Sequence, residues 1–277
     1  MTRFRLDLAY DGTNFHGWAA QPGQRTVEGA LQEAVAAALV IWRRPPEQLL
    51  VVAGRTDAGV HARHQVAHLD VDLPPDDAPA LTGQLRRLLP SDVAMHSVSP
   101  APAGFDARFA ATGRTYCYRL WDATSLPDPT LRHVVTALTV RLDTNAMAVA
   151  SANLLGLRDF TAFCRPKAGG TAIRNLRRFD VTRLDDAPGT IECWLEADAF
   201  CHSMVRSLVG AITEVGAGHR DLAWLAATAA RPQRANDVPV LPPGGLTLEA
   251  VTYPPDDQLA ARVALARSVR QPASKVT

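Results

Sequence analysis

The sequence predicts an α+β protein of two β-α-β-β-α-β halves, with largely antiparallel sheets and helices packed on one face. Three observations carry that reading. Phe4, Leu6, Leu8 and Tyr10 alternate with polar or small residues, the period of a half-buried strand. Val27, Ala30, Leu31, Ala34, Val35, Ala38 and Leu39 recur at the spacing of an amphipathic helix. The same order of strand and helix signals then comes a second time, without a sequence repeat between the halves.

The first half, residues 1–104, begins with the strand Arg3 to Tyr10 and a loop containing Asp11-Gly12 and Pro22-Gly23. Thr26 is placed to cap the following helix, which Pro45-Pro46 closes. Leu49 to Ala53, a short apolar run between turn signals, predicts a buried strand, and the alternation of Ala67, Leu69, Val71 and Leu73 predicts another. Asp77 caps a helix through Leu89, and Val93 to Val98 makes a fourth strand. In the second half, residues 105–255, Thr115 to Trp121 and Val134 to Leu142 read as strands. Asp143 caps a helix to Leu155, and Ile173 to Arg183 with Thr190 to Ala197 forms a hairpin around Asp185-Asp186-Ala187-Pro188-Gly189. Phe200 to Val215 is helical and ends at Gly216 and Gly218. Asp221 to Ala230 is a short helix, and Leu246 to Tyr253 the last strand. Residues 256–277 form a tail, a loosely held helix or a disordered segment.

At 47% hydrophobic and 21% charged residues, the composition is that of an ordinary globular protein. Arg3, Arg5 and Asp7 stand where a secretory signal would need an apolar core, and the most apolar run, Ala34 to Trp42, is too short to span a bilayer. These features predict a soluble, cytoplasmic protein with no membrane partner. Cys117, Cys164, Cys193 and Cys201 are scattered without a C-x-x-C pair, which predicts reduced thiols and agrees with the cytosol. A net charge of +1 does not announce nucleic acid. Between Arg158 and Arg183, however, seven cations (Arg158, Arg165, Lys167, Arg174, Arg177, Arg178, Arg183) face only Asp159 and Asp180, enough for a local phosphate-attracting surface. Arginine outnumbers lysine throughout, so the stretch supports RNA binding without deciding it.

The chemistry concentrates in Gly54-Arg55-Thr56-Asp57-Ala58-Gly59-Val60-His61-Ala62, directly after a predicted strand. Its glycines permit backbone conformations closed to other residues. Between them lie a guanidinium, a hydroxyl and a carboxylate, with Thr56 or the loop amides able to orient the Asp57 carboxylate. Taken alone, Asp-Ala-Gly is an ordinary turn; the nine-residue string is far more specific.

That string resembles the active-site motif of pseudouridine synthases, and in this form that of the tRNA pseudouridine synthase A family. The resemblance extends over most of the chain. It includes Tyr10-Asp11-Gly12 with Phe15-His16-Gly17-Trp18, Gln24 to Leu31, Phe105 to Phe109, Arg114-Thr115-Tyr116-Cys117-Tyr118, Asp159 to Phe163, and Ala199-Phe200 with Met204-Val205-Arg206 and Val209-Gly210. Departures occur at Ala19, where the family usually has glutamine, and at Asp198, Ser203 and Ser207, where asparagine or basic residues are more usual. Arg231 to Gly245 also diverges. These bear on RNA affinity and target range more than on chemistry.

The resemblance implies a pseudouridine synthase fold with its catalytic cleft between the halves. It implies uridine-to-pseudouridine isomerisation at positions 38, 39 and 40 of the tRNA anticodon stem-loop, and a homodimer holding the tRNA body. Asp57 is then the catalytic carboxylate at the ribose of a flipped-out nucleotide, as nucleophile or as base. Tyr116 lies against the uracil, Arg206 reaches the Asp57 carboxylate, and Arg55 contacts RNA around the extruded nucleotide. The isomerisation involves no redox change and no group donor, so neither cofactor nor metal is required. Each partner has a plainer alternative: Tyr116 as sheet core beside Tyr118 and Leu120, Arg206 as a solvated helix residue, Arg55 as an ion pair with Asp57.

Two rivals are weighed against this. His61, His64 and His68 have zinc-like spacing on a helix, but a strand there puts only His64 and His68 on one side, which favours solvated or hydrogen-bonded histidines. A non-catalytic RNA-binding module would show aromatics on a sheet face and have no need of Asp57, and aromatics are only 6% of the chain. No G-x-G-x-x-G or G-x-x-x-x-G-K-[ST] sequence opens a helix, which removes a doubly wound nucleotide-binding enzyme.

Overall fold

The computed structural model describes residues 1–42, 49–165, 171–186 and 188–267. Pro45-Pro46, Lys167, Ala187 and the tail from residue 268, with Arg270, lie outside the described residues. The first half runs β1 (Thr2–Tyr10), α1 (Val27–Ile41), β2 (Leu49–Val52), β3 (His61–Val71), α2 (Ala78–Leu88) and β4 (Val93–Pro100). The second runs β5 (Gly113–Trp121), β6 (Thr136–Ala137), α3 (Thr144–Ala152), β7 (Gly156–Asp159), β8 (Ile173–Arg183), β9 (Ile191–Ala197), α4 (Met204–Gly216), α5 (Leu222–Ala229) and β10 (Leu246–Thr252), followed by α6 (Leu259–Arg267).

Among the described residues the strands form one sheet, ordered β4-β1-β3-β10-β5-β9-β8-β7, with β2 beside β3 and β6 beside β5. Only β3–β10 and β5–β6 pair in parallel. The fold is thus the mixed α+β arrangement with a mostly antiparallel sheet that the alternation predicts. The last strand, β10, enters between β3 and β5, so one sheet crosses both halves. Its registers join Tyr10, Ala62, Leu248, Tyr116 and Leu195 into a row across five strands. Two interstrand spacings therefore separate Ala62, at the end of the Asp57 loop, from Tyr116, roughly 10 Å.

The alternation of β1 works as expected: Phe4, Leu6, Leu8 and Tyr10 are buried, and Arg3, Arg5 and Asp7 face the other way. The main core lies on that inner face, where α1 to α5 all contribute buried side chains. A smaller cluster on the second face joins Ala53, Val66, Phe105, Ala107, Ala110 and Leu259. Thr26, Asp143 and Asp221 cap α1, α3 and α5, each accepting from backbone N–H groups. Asp77 stands at the N-cap of α2 without a side-chain hydrogen bond.

Several expectations need correction. Of Val134 to Leu142 only Thr136–Ala137 is strand, because the polypeptide leaves the edge after two residues beside β5. The helix expected from Phe200 begins at Met204, since Ser203 has a positive φ of 63° that interrupts helical geometry. The strand Gly156–Asp159 carries no alternation of burial and was not anticipated. Of the two alternatives for the tail, residues 259–267 form a helix, anchored where Leu259 is buried and Arg262 donates to the Ala111 carbonyl. The four cysteines are not all apart from one another. Cys164 and Cys201 are paired, with Cα atoms 5.7 Å apart, while Cys117 and Cys193 are free and buried.

Candidate active site

Asp57 sits on the loop between β2 and β3, and that loop is tied down from three sides. The Gln65 side-chain amide donates to the Gly54 carbonyl at 2.9 Å and to the Tyr10 hydroxyl at 3.2 Å. That hydroxyl lies 2.7 Å from Thr56 Oγ1. Backbone hydrogen bonds between the two loops complete the frame: Trp18 N of the first loop donates to Thr56 O, and Gly59 N donates back to Phe15 O. The two loops are in such close contact that a β-carbon at Gly12 would lie 2.1 Å from the Val60 carbonyl oxygen. Only glycine fits there. The Tyr10 phenol is fully enclosed, and burial pushes its pKa up to about 12, so it acts as a neutral donor and acceptor.

Thr56 is therefore committed to Tyr10 and does not orient the Asp57 carboxylate. That carboxylate faces the second half. Arg206 Nη1 lies 3.3 Å from Oδ2, and His202 Nε2 lies 3.5 Å from Oδ1. The Arg206 guanidinium is fixed by a second bond, Nε to the Leu241 carbonyl at 2.6 Å. Leu241 belongs to the divergent segment, which packs against α4 so closely that a β-carbon at Gly210 would collide with Pro239 O at 2.0 Å. The Tyr118 hydroxyl donates to Pro242 O at 2.6 Å and holds the same segment from the sheet side.

Tyr116 is 8% exposed, and its ring stands edge-on to Phe200, with centroids 5.3 Å apart. Burial pushes its phenol pKa well above the ordinary value, with Tyr10 and Asp57 adding to the rise and Arg114 opposing it. The hydroxyl therefore stays protonated at working pH. Asp57 and Arg206 thus face each other, and Asp57 is near enough to Tyr116 to raise its phenol pKa. Arg55 does not join them: it is exposed, and among the described residues it forms no ion pair with Asp57.

Two contributors were invisible to pattern reading. His202 is one residue in an irregular segment. Arg114 lies in the recognised Arg-Thr-Tyr-Cys-Tyr run, yet nothing in that run signals its reach. Its guanidinium donates to the carbonyls of Ala53, Asp198 and Arg108, joining the end of β2 to the segment before α4. Burial lowers its pKa from the usual arginine value.

The basic stretch is less free than its formal charge suggests. Arg183 is bound to the buried Asp122 at 2.7 Å, Arg177 pairs with Glu196, and Arg178 pairs with Asp180. The three histidines diverge as well. His61 Nδ1 accepts from Gly12 N, His64 Nδ1 lies 3.0 Å from Glu249 O, and His68 Nδ1 accepts from Ala107 N.

A family model described as tRNA pseudouridine synthase matches residues 150–254. A relative named tRNA pseudouridine synthase A from Cutibacterium acnes is 54% identical over 271 residues, covering 98% of this chain and 95% of its own. One of the same name from Frankia casuarinae is 50% identical, covering 98% and 97%. Among solved structures, one titled "Structure of H/ACA RNP bound to a substrate RNA containing 2'-deoxyuridine" aligns at 13% identity and a TM-score of 0.28, covering 76% of this chain and 53% of that one, too weak a likeness to carry an argument. The mixed α+β fold with its mostly antiparallel sheet is that of the pseudouridine synthase class. The chain belongs to the tRNA pseudouridine synthase A family, a family of isomerases.

Proposed function

We propose that this protein isomerises uridine to pseudouridine in tRNA, at positions 38, 39 and 40 of the anticodon stem-loop, with Asp57 acting at the ribose of a flipped-out nucleotide. The bond from uracil N1 to ribose C1′ breaks, the base turns, and C5 bonds to C1′. The C5 proton is lost and N1 gains one, so the product is an isomer. The observation that carries the reading is the Asp57 carboxylate, held on a glycine-bounded loop and faced by Arg206 beside the buried Tyr116–Phe200 pair. A carboxylate so placed can trap or stabilise positive character at C1′, and the aromatic edge can guide the turning base. Arg55, exposed at the rim, is assigned to the RNA around the extruded nucleotide. The halves 1–104 and 105–255 supply the two walls of the cleft, and a cytoplasmic homodimer holds the body of the tRNA. The chemistry calls for no cofactor and no metal.

The test is to incubate the protein, with and without chelator, on unmodified tRNA and map pseudouridine at single-nucleotide resolution. Pseudouridine is expected at 38 to 40, insensitive to chelator; its absence from the anticodon arm would sink the proposal. Asp57→Asn should lower turnover at least about a thousandfold while tRNA binding persists. Retained turnover would remove Asp57 from the mechanism.

A further inference from the structure

We propose that His202 is a positioning residue for Asp57, fixing the plane of its carboxylate from the oxygen that Arg206 does not face. The inference rests on the activity proposed above. One donor on one oxygen leaves a carboxylate free to turn about its Cβ–Cγ bond. Polar groups at both oxygens set its plane, and here Arg206 Nη1 donates to Oδ2 while His202 Nε2 stands within ion-pair range of Oδ1. At 3.3 and 3.5 Å both contacts are longer than charge-assisted hydrogen bonds, as expected of a site that tightens only around its substrate.

His202 has no place in the core. Its side chain is 47% exposed, and among the described residues Asp57 is the only polar partner of its ring. What is fixed is its backbone. Its carbonyl accepts from Arg165 N at 3.0 Å. The preceding residue, Cys201, is cross-linked to Cys164. The following residue, Ser203, is the only non-glycine at positive φ among the described residues, a conformation that costs about 1 kcal/mol or more and persists only where the surroundings impose it. That turn lets residue 202, just before α4, and Arg206, on its first turn, reach one carboxylate. Three separate restraints on a half-exposed histidine are hard to explain by packing. They follow directly if the imidazole must be delivered to Asp57.

The test compares His202→Ala, His202→Leu and His202→Gln with the wild type in steady-state turnover on unmodified tRNA, with melting temperatures as the fold control. A glutamine amide nitrogen can stand near the place of Nε2; leucine fills space without donating. Loss of one such hydrogen bond should lower kcat about tenfold in the Ala and Leu variants, with KM within about twofold of wild type. The Gln variant should recover to within about threefold, and the melting temperatures should not move. Unchanged kcat in the Leu variant would overturn the proposal. So would a Gln variant as slow as the Leu one, or a change confined to KM, which would make His202 an RNA contact. An inactive wild type would instead overturn the proposed activity, and this role with it.

Discussion

At the scale of single residues, the site depends on what each polar group is already bound to. Arg206 makes two contacts with one guanidinium: Nε to Leu241 O and Nη1 to Asp57 Oδ2. A lysine ammonium carries the same charge but is a single point, and it cannot span a backbone carbonyl and a carboxylate in this fork geometry. Arg206→Lys should therefore lose roughly ten- to a hundredfold in kcat on tRNA, close to the loss in Arg206→Gln. Near-wild-type turnover in the lysine variant would mean that charge alone suffices and the fork does not matter. The contact of Arg206 with Asp57 was legible because each lies in a distinctive run of the sequence. His202 was not, because a lone histidine in an irregular segment has no period. Thr56 was misassigned for a related reason. The sequence sets its hydroxyl beside Asp57, and only the fold brings in the Tyr10 phenol that takes it.

At the scale of elements, the approach to α4 shows where periodicity misleads. Phe200 to Val215 has helical spacing throughout, yet the first four residues form a constrained turn, and Ser203 breaks the helix with a left-handed conformation that spacing cannot reveal. The cross-link between Cys164 and Cys201 belongs to this element, since it fastens the turn to the short helix Thr161–Phe163. With the cysteines 37 positions apart, its closure restricts the unfolded chain by up to about 4 kcal/mol in the chain-entropy account. Reductant should therefore lower the melting temperature, by roughly 10 °C at that limit, and Cys164→Ser should melt at the reduced value whether or not reductant is present. Thiol titration of the unreduced protein should find two free groups, Cys117 and Cys193. Four free thiols, or melting indifferent to reductant, would refute the cross-link in solution.

At the scale of the whole molecule, the order of elements in the first half was readable because β1 alternates, β2 is a short apolar run between turn signals and α1 has a side-chain cap. The insertion of β10 between β3 and β5 was not, since nothing local in Leu246–Thr252 specifies its neighbours. The folded sheet encloses its tyrosines and occupies three of their hydroxyls. Tyr10 meets Thr56, Tyr118 donates to Pro242 O and Tyr253 donates to Ala107 O, while the Tyr116 ring stands edge-on to Phe200. Burial raises the pKa of every one, to about 12 for Tyr10, and likewise raises the thiols of Cys117 and Cys193. A group whose folded pKa is raised contributes stability that is whole below its unfolded pKa and is lost as pH climbs toward the folded value. Below about pH 8 these six groups cost almost nothing, and the two thiols begin to destabilise from about pH 9. Above pH 10 each phenol destabilises the native state by about 1 kcal/mol for every further pH unit, against a total stability of roughly 5–15 kcal/mol. The protein should therefore unfold cooperatively within about two units above pH 10. Tyrosinate absorbance should rise together with the loss of circular dichroism, because the phenols ionise only as the sheet opens. If that absorbance instead appeared near pH 10 while the dichroism stayed native, the phenols would be in water, and the enclosed row joining Tyr10 to Tyr116 across the sheet would be wrong.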